Sequence, residues 1–261
     1  MAGGMEELAR LLVEKLGRPP CGVALDIDGT LTVTRSMGVF RIHLGAVEAM
    51  RRLEDADIAT MLVTGNSAPV VAGLSRYLGS SGPHVAENGC VVYWRGRVWS
   101  ACRYTARAAA GVIEEEMGGV LRPSWQNNCR FHDYAFTVVD RSRSPSDYIE
   151  VVAVLLRERG LRARLSSSGY ALHVRPPDAS KGKGIAVAAR LAGLDTGCIV
   201  AVGDSEMDAE MREHGGAALL AAVGNAEEGL KERADIVLPG RSGESAKLLL
   251  EAVLLAQRLA R

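Results

Sequence analysis

The sequence predicts an α/β protein: a parallel sheet with helices on both faces, into which a smaller α+β module is inserted. Three observations carry this. Apolar runs of strand length alternate with stretches of helical spacing through most of the chain. Several of those runs end in carboxylates or in Thr-Gly, at the sheet edge where open α/β folds bind ligands. Between residues 89 and 177 the alternation gives way to a hairpin pattern followed by mixed helices and strands.

The first strand is Val23 to Ile27 of "CGVALDIDGTLTVTR", a short apolar run of the kind buried on both faces, closed by a turn at Gly29. The spacing of "GAVEAMRRLEDA" predicts a helix, "DIATMLVTGN" a second strand, and Ser67 to Leu78 a further helix. In the insert, "CVVYW-RG-RVWSAC" predicts a hairpin turning at Arg95-Gly96. It is followed by the helix "TARAAAGVIEEEMG", the strand "YAFTVVD", the helix "DYIEVVAVLLRERG" and the strands "RARLS" and "YALHV". Pro176-Pro177 and the small residues after them make a hinge. The alternation then resumes with "GIAVAARLAG", the apolar run "CIVAVGDSEMD", "AALLAAVGNA", "DIVLP" and a long C-terminal helix. The expected division is a helical extension over 1–20, a core over 21–88 and 178–261, and an inserted module over 89–177.

A chain of 261 residues, 48% hydrophobic and 24% charged, has enough apolar surface for a sizeable core. Lys+Arg and Asp+Glu balance at 31 each, so there is no electrostatic footprint for nucleic acid or an anionic membrane. No uninterrupted apolar run reaches spanning length, and the N-terminal stretch, broken by Glu and Lys, does not read as a secretory signal. Five dispersed cysteines (Cys21, Cys90, Cys102, Cys129, Cys198) without C-x-x-C spacing point to reduced thiols and a cytoplasmic protein. A homodimer is compatible with the sequence, which does not specify the oligomeric state.

Four polar clusters stand just after apolar runs or at helix starts: Asp26/Asp28, Thr64-Gly65, Lys181, and Gly203-Asp204 with Asp208. Each has a plain explanation alone, as an Asx turn, a strand-end turn, a solvated lysine or an N-cap. One site at the carboxyl edge of one sheet explains all of them together. Asp26 and Asp28, alternate residues of a strand, begin on the same side, where two like charges raise each other's pKa unless a cation lies between them. A carboxylate can serve as nucleophile, which favours Asp26, and Asp28 two residues on can serve as general acid and base. With Asp204 and Asp208 there are four carboxylates and no His or Cys beside them, a set suited to Mg²⁺.

In this order the clusters resemble the haloacid dehalogenase superfamily of phosphotransferases, with "DIDGTLT", "LVTGN", "SKGKG" and "VGDSEMD" matching its four motifs from about Cys21 to Leu238. The resemblance implies a Rossmann-like core. The insert between the second and third motifs resembles the Cof-type subgroup with an α+β cap. The modest cap, "VTGNS" and "AENG" resemble archaeal phosphoglycolate phosphatases, with related sugar-phosphate phosphatases sharing much of the pattern. What this implies is hydrolysis of a small phosphorylated metabolite through an aspartyl-phosphate. It also implies a Mg²⁺ held by Asp26, the carbonyl of Asp28 and Asp204 with Asp208 adjacent, phosphoryl oxygens on Thr64 and the Gly65 N–H, and Lys181 neutralising the transition-state charge. A sugar-phosphate phosphatase or phosphomutase of the same superfamily, and a non-catalytic phosphometabolite sensor, are the alternatives.

The resemblance departs from the family at Met207, where an Asn normally precedes the last Asp. The amide lost there bears on how the ligands are oriented rather than on the ligands themselves. Lys181 shares a helix row with Ile185, Ala188 and Ala192, whereas Lys183 leads through Val187 to Arg190, so Lys181 is the inward lysine. None of His43, His84, His132, His173 and His214 is assigned to catalysis. Glu87-Asn88-Gly89 is either a contact from the cap junction or a tight turn.

Overall fold

The computed structural model describes residues 2–36 and 39–259. Helix α1 (Ala2–Leu16) leads into strand β1 (Gly22–Leu25). A hairpin of β2 (Thr32–Ser36) and β3 (Val39–Ile42) precedes α2 (Leu44–Glu54), β4 (Ala59–Leu62) and α3 (Ala68–Leu78). Three antiparallel strands follow, β5 (His84–Ala86), β6 (Val91–Trp94) and β7 (Arg97–Ser100). Next come α4 (Arg107–Met117), β8 (Leu121–Pro123), β9 (Tyr134–Val138), α5 (Ile149–Glu158), β10 (Arg164–Ser167) and β11 (Leu172–Arg175). The chain closes with α6 (Lys181–Ala192), β12 (Ile199–Gly203), β13 (Leu219–Ala222), α7 (Glu228–Lys231), β14 (Ile236–Val237) and α8 (Gly243–Leu259).

The first sheet is parallel, in the order β14-β13-β12-β1-β4. Every residue of β1, β12 and β13 is buried, the expected price of lying between two helical layers, and this is why their sequences read as unbroken apolar runs. A parallel bridge between Val63 and Val85 ties β5 to its edge. The second sheet is antiparallel, in the order β10-β11-β9-β8. It buries Leu121, Tyr134, Phe136, Leu172 and Val174 against Ile113 of α4 and Val152 and Leu156 of α5, a cluster separate from that of the parallel sheet. The hairpin β6–β7 joins the larger cluster through Val91 and Val92, with Cys90 and Cys102 beside them, and leaves Val98 exposed.

Four strands go beyond the sequence reading. The hairpin β2–β3 lies in a stretch without alternation, β5 is three residues long, and β8 ends in Pro123. Pro is tolerated there because β8 is an edge strand.

The cysteine reading is corrected: Cys21–Cys198 and Cys90–Cys102 are disulfides, and Cys129 is free and exposed. The physical reason is sheet order. Gly22 pairs with Ile199 in register, so Cys21 and Cys198, 177 residues apart, enter neighbouring strands side by side. Linear spacing carries no trace of such a pair. Among the described residues no helix is long and apolar enough to cross a membrane.

Candidate active site

Because β1 and β12 are parallel neighbours, their carboxyl ends place Asp26 and Asp28 beside Asp204 and Asp208. The Asp26 N–H donates to Val202 O (3.0 Å), continuing the ladder one residue past the strand. The chain then turns at Gly29, whose φ of +93° and close approach both demand glycine: a Cβ there would lie 2.1 Å from Asp204 Oδ2. Gly203 is under similar constraint, since its Cβ would lie 2.3 Å from the Asp208 Cβ.

Asp26, Asp204 and Asp208 each bring a carboxylate oxygen within 4.8 Å of the others. Lys181, at the first turn of α6, reaches in and donates to Asp26 Oδ1 (2.9 Å) and Asp208 Oδ1 (2.5 Å). Lys183 turns away and pairs with Asp178 (2.8 Å). The other oxygen of Asp208 accepts from Asp204 N (3.0 Å), Ser205 N (3.0 Å) and Ser205 Oγ (3.1 Å), so Asp208 shapes the loop after β12 as well as holding the lysine. Thr30 Oγ1 donates to Asp204 Oδ1 (3.1 Å).

The charge is unbalanced. Burial, and then the neighbouring Asp208 carboxylate, hold the Asp26 carboxyl well above the usual carboxylate range despite Lys181. Burial and Asp208 likewise push Asp204 up to about 7. Burial raises Asp28 too, against the Asn66 amide, which favours its anion. Lys181 is raised because Asp208 and Asp26 together outweigh its desolvation. A cluster of buried oxygen ligands with one ammonium among them fits a hard divalent cation, which would relieve the repulsion that raises these groups.

Beyond β4, Thr64 Oγ1 accepts from Asn66 N (3.1 Å) and Asn66 Nδ2 (3.0 Å), which leaves its own O–H as a donor. The Gly65 N–H donates to no protein acceptor among the described residues. Asp26, Asp28, Thr64, Gly65, Lys181 and Asp204 all line one cavity of about 730 Å³; Asp208 lies behind Lys181. Met207 also lines this cavity.

The insert forms the opposite wall, and there sequence reading missed residues. Ser124 caps a tight turn over Trp125–Cys129, and this projects Gln126 onto the loop after β4. Gln126 Oε1 accepts from Ser67 N (2.8 Å), and its Nε2 donates to Asn66 Oδ1 (2.8 Å). Asn66 Nδ2 in turn donates to Asp28 Oδ2 (2.8 Å). Arg130 donates to Gly65 O (2.8 Å) and faces Asp133 (3.4 Å), which also accepts from Asn88 (2.6 Å) and contacts His173 (3.2 Å). Burial pushes Asp133 up, but His173 and Arg130 outweigh it and hold the carboxyl below its ordinary value. Glu87-Asn88-Gly89 is both a tight turn and a junction contact: Glu87 and Asn88 have φ of 50° and 52°, and the Glu87 carboxylate accepts from the N–H groups of Phe131, His132 and Asp133. The run of Asn, Gln and Arg between 125 and 130 was the available signal, since such a cluster in a loop has no helical or strand period to explain it.

A family model described as haloacid dehalogenase-like hydrolase matches residues 23–115 and 134–244. The chain is 38% identical over 229 residues to a phosphoglycolate phosphatase of Metallosphaera sedula, an alignment covering 88% of this chain and 96% of that protein. A phosphoglycolate phosphatase of Aeropyrum pernix is 37% identical over 222 residues, covering 84% and 88%. Among solved structures, a Thermoplasma acidophilum protein, 0175, superposes with a TM-score of 0.76 at 23% identity, covering 91% of this chain and all of that one. With the parallel sheet, the inserted antiparallel sheet and the Asp–Lys cluster at the strand ends, the chain belongs to the haloacid dehalogenase-like hydrolases.

Proposed function

We propose that this chain is a Mg²⁺-dependent phosphatase that hydrolyses 2-phosphoglycolate to glycolate and phosphate through a phosphorylated Asp26. The names of its relatives support the substrate. The observation that carries the chemistry is the meeting of Asp26, Asp28, Asp204 and Lys181 in one cavity with Thr64 and Gly65.

Asp26 Oδ1 is engaged by Lys181, while Oδ2 has no protein donor among the described residues and is the oxygen free to attack phosphorus. The bond from phosphorus to the glycolate oxygen breaks as Asp28 delivers its proton to that oxygen. A water then attacks the phosphorus and gives its proton to Asp28, and the acyl phosphate bond breaks to restore Asp26. A carboxyl raised by burial is suited to holding the proton at the first step. The Thr64 O–H and the Gly65 N–H bind the phosphoryl oxygens, and Lys181 offsets the charge that gathers on them. Asp26 and Asp204 would hold Mg²⁺, with Asp28 beside it and Asp208 behind Lys181; the ion would supply the positive charge that lets this carboxylate cluster meet a phosphate. The insert over 89–177 acts as the cap that excludes bulk water.

The test is phosphate release from 2-phosphoglycolate with Mg²⁺, together with acid-quench trapping of label from a ³²P-ester on the protein. Asp26→Asn is expected to lose both signals and keep its fold by circular dichroism. Label trapped on the variant would place the nucleophile elsewhere.

A further inference from the structure

We propose that Arg122 forms a subsite for a carboxylate on the leaving group, so that the preferred substrates are phosphate monoesters carrying a second, distal anion. This rests on the phosphatase reading above and assigns the residue that selects within it.

The placement follows from strand register. Arg122 pairs with Thr137 across β8 and β9, and His173 pairs with Ala135 across β11 and β9. Side chains alternate along a strand, so Leu121, Phe136 and Leu172 fill the small core of the insert while Arg122, Thr137, Ala135 and His173 take the opposite face. All four line the catalytic cavity.

Charge then singles out Arg122. Four basic residues line that cavity: Lys181, Arg130, His173 and Arg122. Lys181 is held by Asp26 and Asp208, and Arg130 and His173 both face Asp133. Arg122 alone among them has no carboxylate partner among the described residues. A second cavity of about 650 Å³ shares Arg122, Phe40 and Tyr170 with the first and adds Arg141 and Arg143, with no Asp or Glu in its lining. The site is therefore polarised: carboxylates, which want a metal and a phosphate, lie at the sheet edge, and the Arg122 guanidinium lies on the facing wall, with Arg141 and Arg143 beyond it in the neighbouring cavity. A planar guanidinium takes a carboxylate through two parallel hydrogen bonds, and nothing in this wall would compensate a cationic leaving group.

The experiment compares matched esters with Mg²⁺: 2-phosphoglycolate against 2-hydroxyethyl phosphate, and 3-phosphoglycerate against glycerol 3-phosphate. Wild-type protein is expected to favour the acid of each pair in kcat/KM by about ten- to a hundredfold, the worth of one charge-assisted hydrogen-bonded pair. Arg122→Gln should collapse that ratio towards one, mainly by raising KM for the acids, and Arg122→Lys should keep part of it. No preference in the wild type would overturn the subsite, as would a ratio that survives Arg122→Gln, whether both rates fall together or neither does. If 2-phosphoglycolate were refused while 3-phosphoglycerate beat glycerol 3-phosphate, the named substrate would fail and the subsite would stand. Hydrolysis of none of the four esters would overturn both.

Discussion

Replacing Lys181 by Met isolates the one ammonium that holds the carboxylate cluster together. Its side chain is 3% exposed and lies 2.9 Å from Asp26 and 2.5 Å from Asp208, themselves 8% and 0% exposed. Breaking a buried ion pair by removing one partner costs about 3–5 kcal/mol, because the remaining charge is left uncompensated. At roughly 2–4 °C per kcal/mol for a chain of this size, the metal-free variant should melt about 10 °C below wild type. Mg²⁺ should recover part of that loss, since a cation binding only the folded site stabilises it by mass action. The rate should fall more steeply: removing a cation or donor that meets transition-state charge costs about 10²–10³ in kcat. Lys183→Met is the control. Lys183 is half-buried and paired with Asp178 outside the cavity, so its loss should change kcat only a few-fold. The assay is steady-state phosphate release plus thermal melts with and without Mg²⁺. Turnover within a few-fold of wild type in Lys181→Met, or a larger defect in Lys183→Met, would refute the placement of charge in this site.

Asn66→Ala removes the amide that donates to Asp28 and to Thr64, and should lower kcat about tenfold with little change in KM; Gln126→Ala should move kcat the same way by less, and an effect confined to KM would show that this chain of amides only binds substrate. Burial lowers the His84 pKa to about 4, and its Nδ1 accepts from Leu62 N, so the fold holds the ring neutral. The unfolded chain therefore binds the extra proton, and stability present above pH 6.5 should be lost by about 1.4 kcal/mol per pH unit as pH falls towards 4; urea titrations should show this slope flattened in His84→Gln, and an unchanged slope would count against it. Replacing Cys21 and Cys198 by Ser opens a 177-residue link, worth about 5 kcal/mol by loop entropy, against about 3 kcal/mol for the 12-residue Cys90–Cys102 link; non-reducing denaturant melts that reverse this order would show that the folded geometry rather than the unfolded chain sets the gain.

The parts of this site that were readable from sequence lie on regular elements or directly after them. Val23 to Leu25 and Ile199 to Val202 are buried on both sides, so their apolar runs announce strands, and the carboxylates that follow announce the sheet edge. The inward lysine was readable because α6 has a helical period: Ile185 and Ala188 are buried in the same row as Lys181. What was illegible depends on which strands are neighbours. The 21–198 disulfide needs β1 beside β12, and the contact of Gln126 with Asn66 needs the insert folded back over the loop after β4. The turn over Trp125–Cys129 has no repeat that a sequence pattern could expose, and of the loop from Thr64 to Ser67 only Thr64-Gly65, directly after β4, was readable. The strand β8 was hidden by its own Pro123, which only an edge position tolerates.

That loop is where the two sheets meet chemically. Ser67 N, Asn66 Oδ1 and Gly65 O, all within it, are bonded by Gln126 and Arg130 of the insert, while Asn88 N donates to Thr64 O from the junction (3.1 Å). The same loop presents the Thr64 O–H and the Gly65 N–H to the cavity and, through Asn66, orients Asp28. Lifting the insert would break the first three of these bonds together. That would leave the Asn66 amide held only by Thr64 and Asp28. Preorganised donors are worth most where they need no reorganisation as charge develops. The seated insert therefore does more than wall the cavity: the hydrogen bonds that hold it down also fix the loop that carries the Thr64 O–H, the Gly65 N–H and the Asn66 amide on Asp28. Under the proposed mechanism, seating the insert and setting the donors around Asp28 would be one structural event.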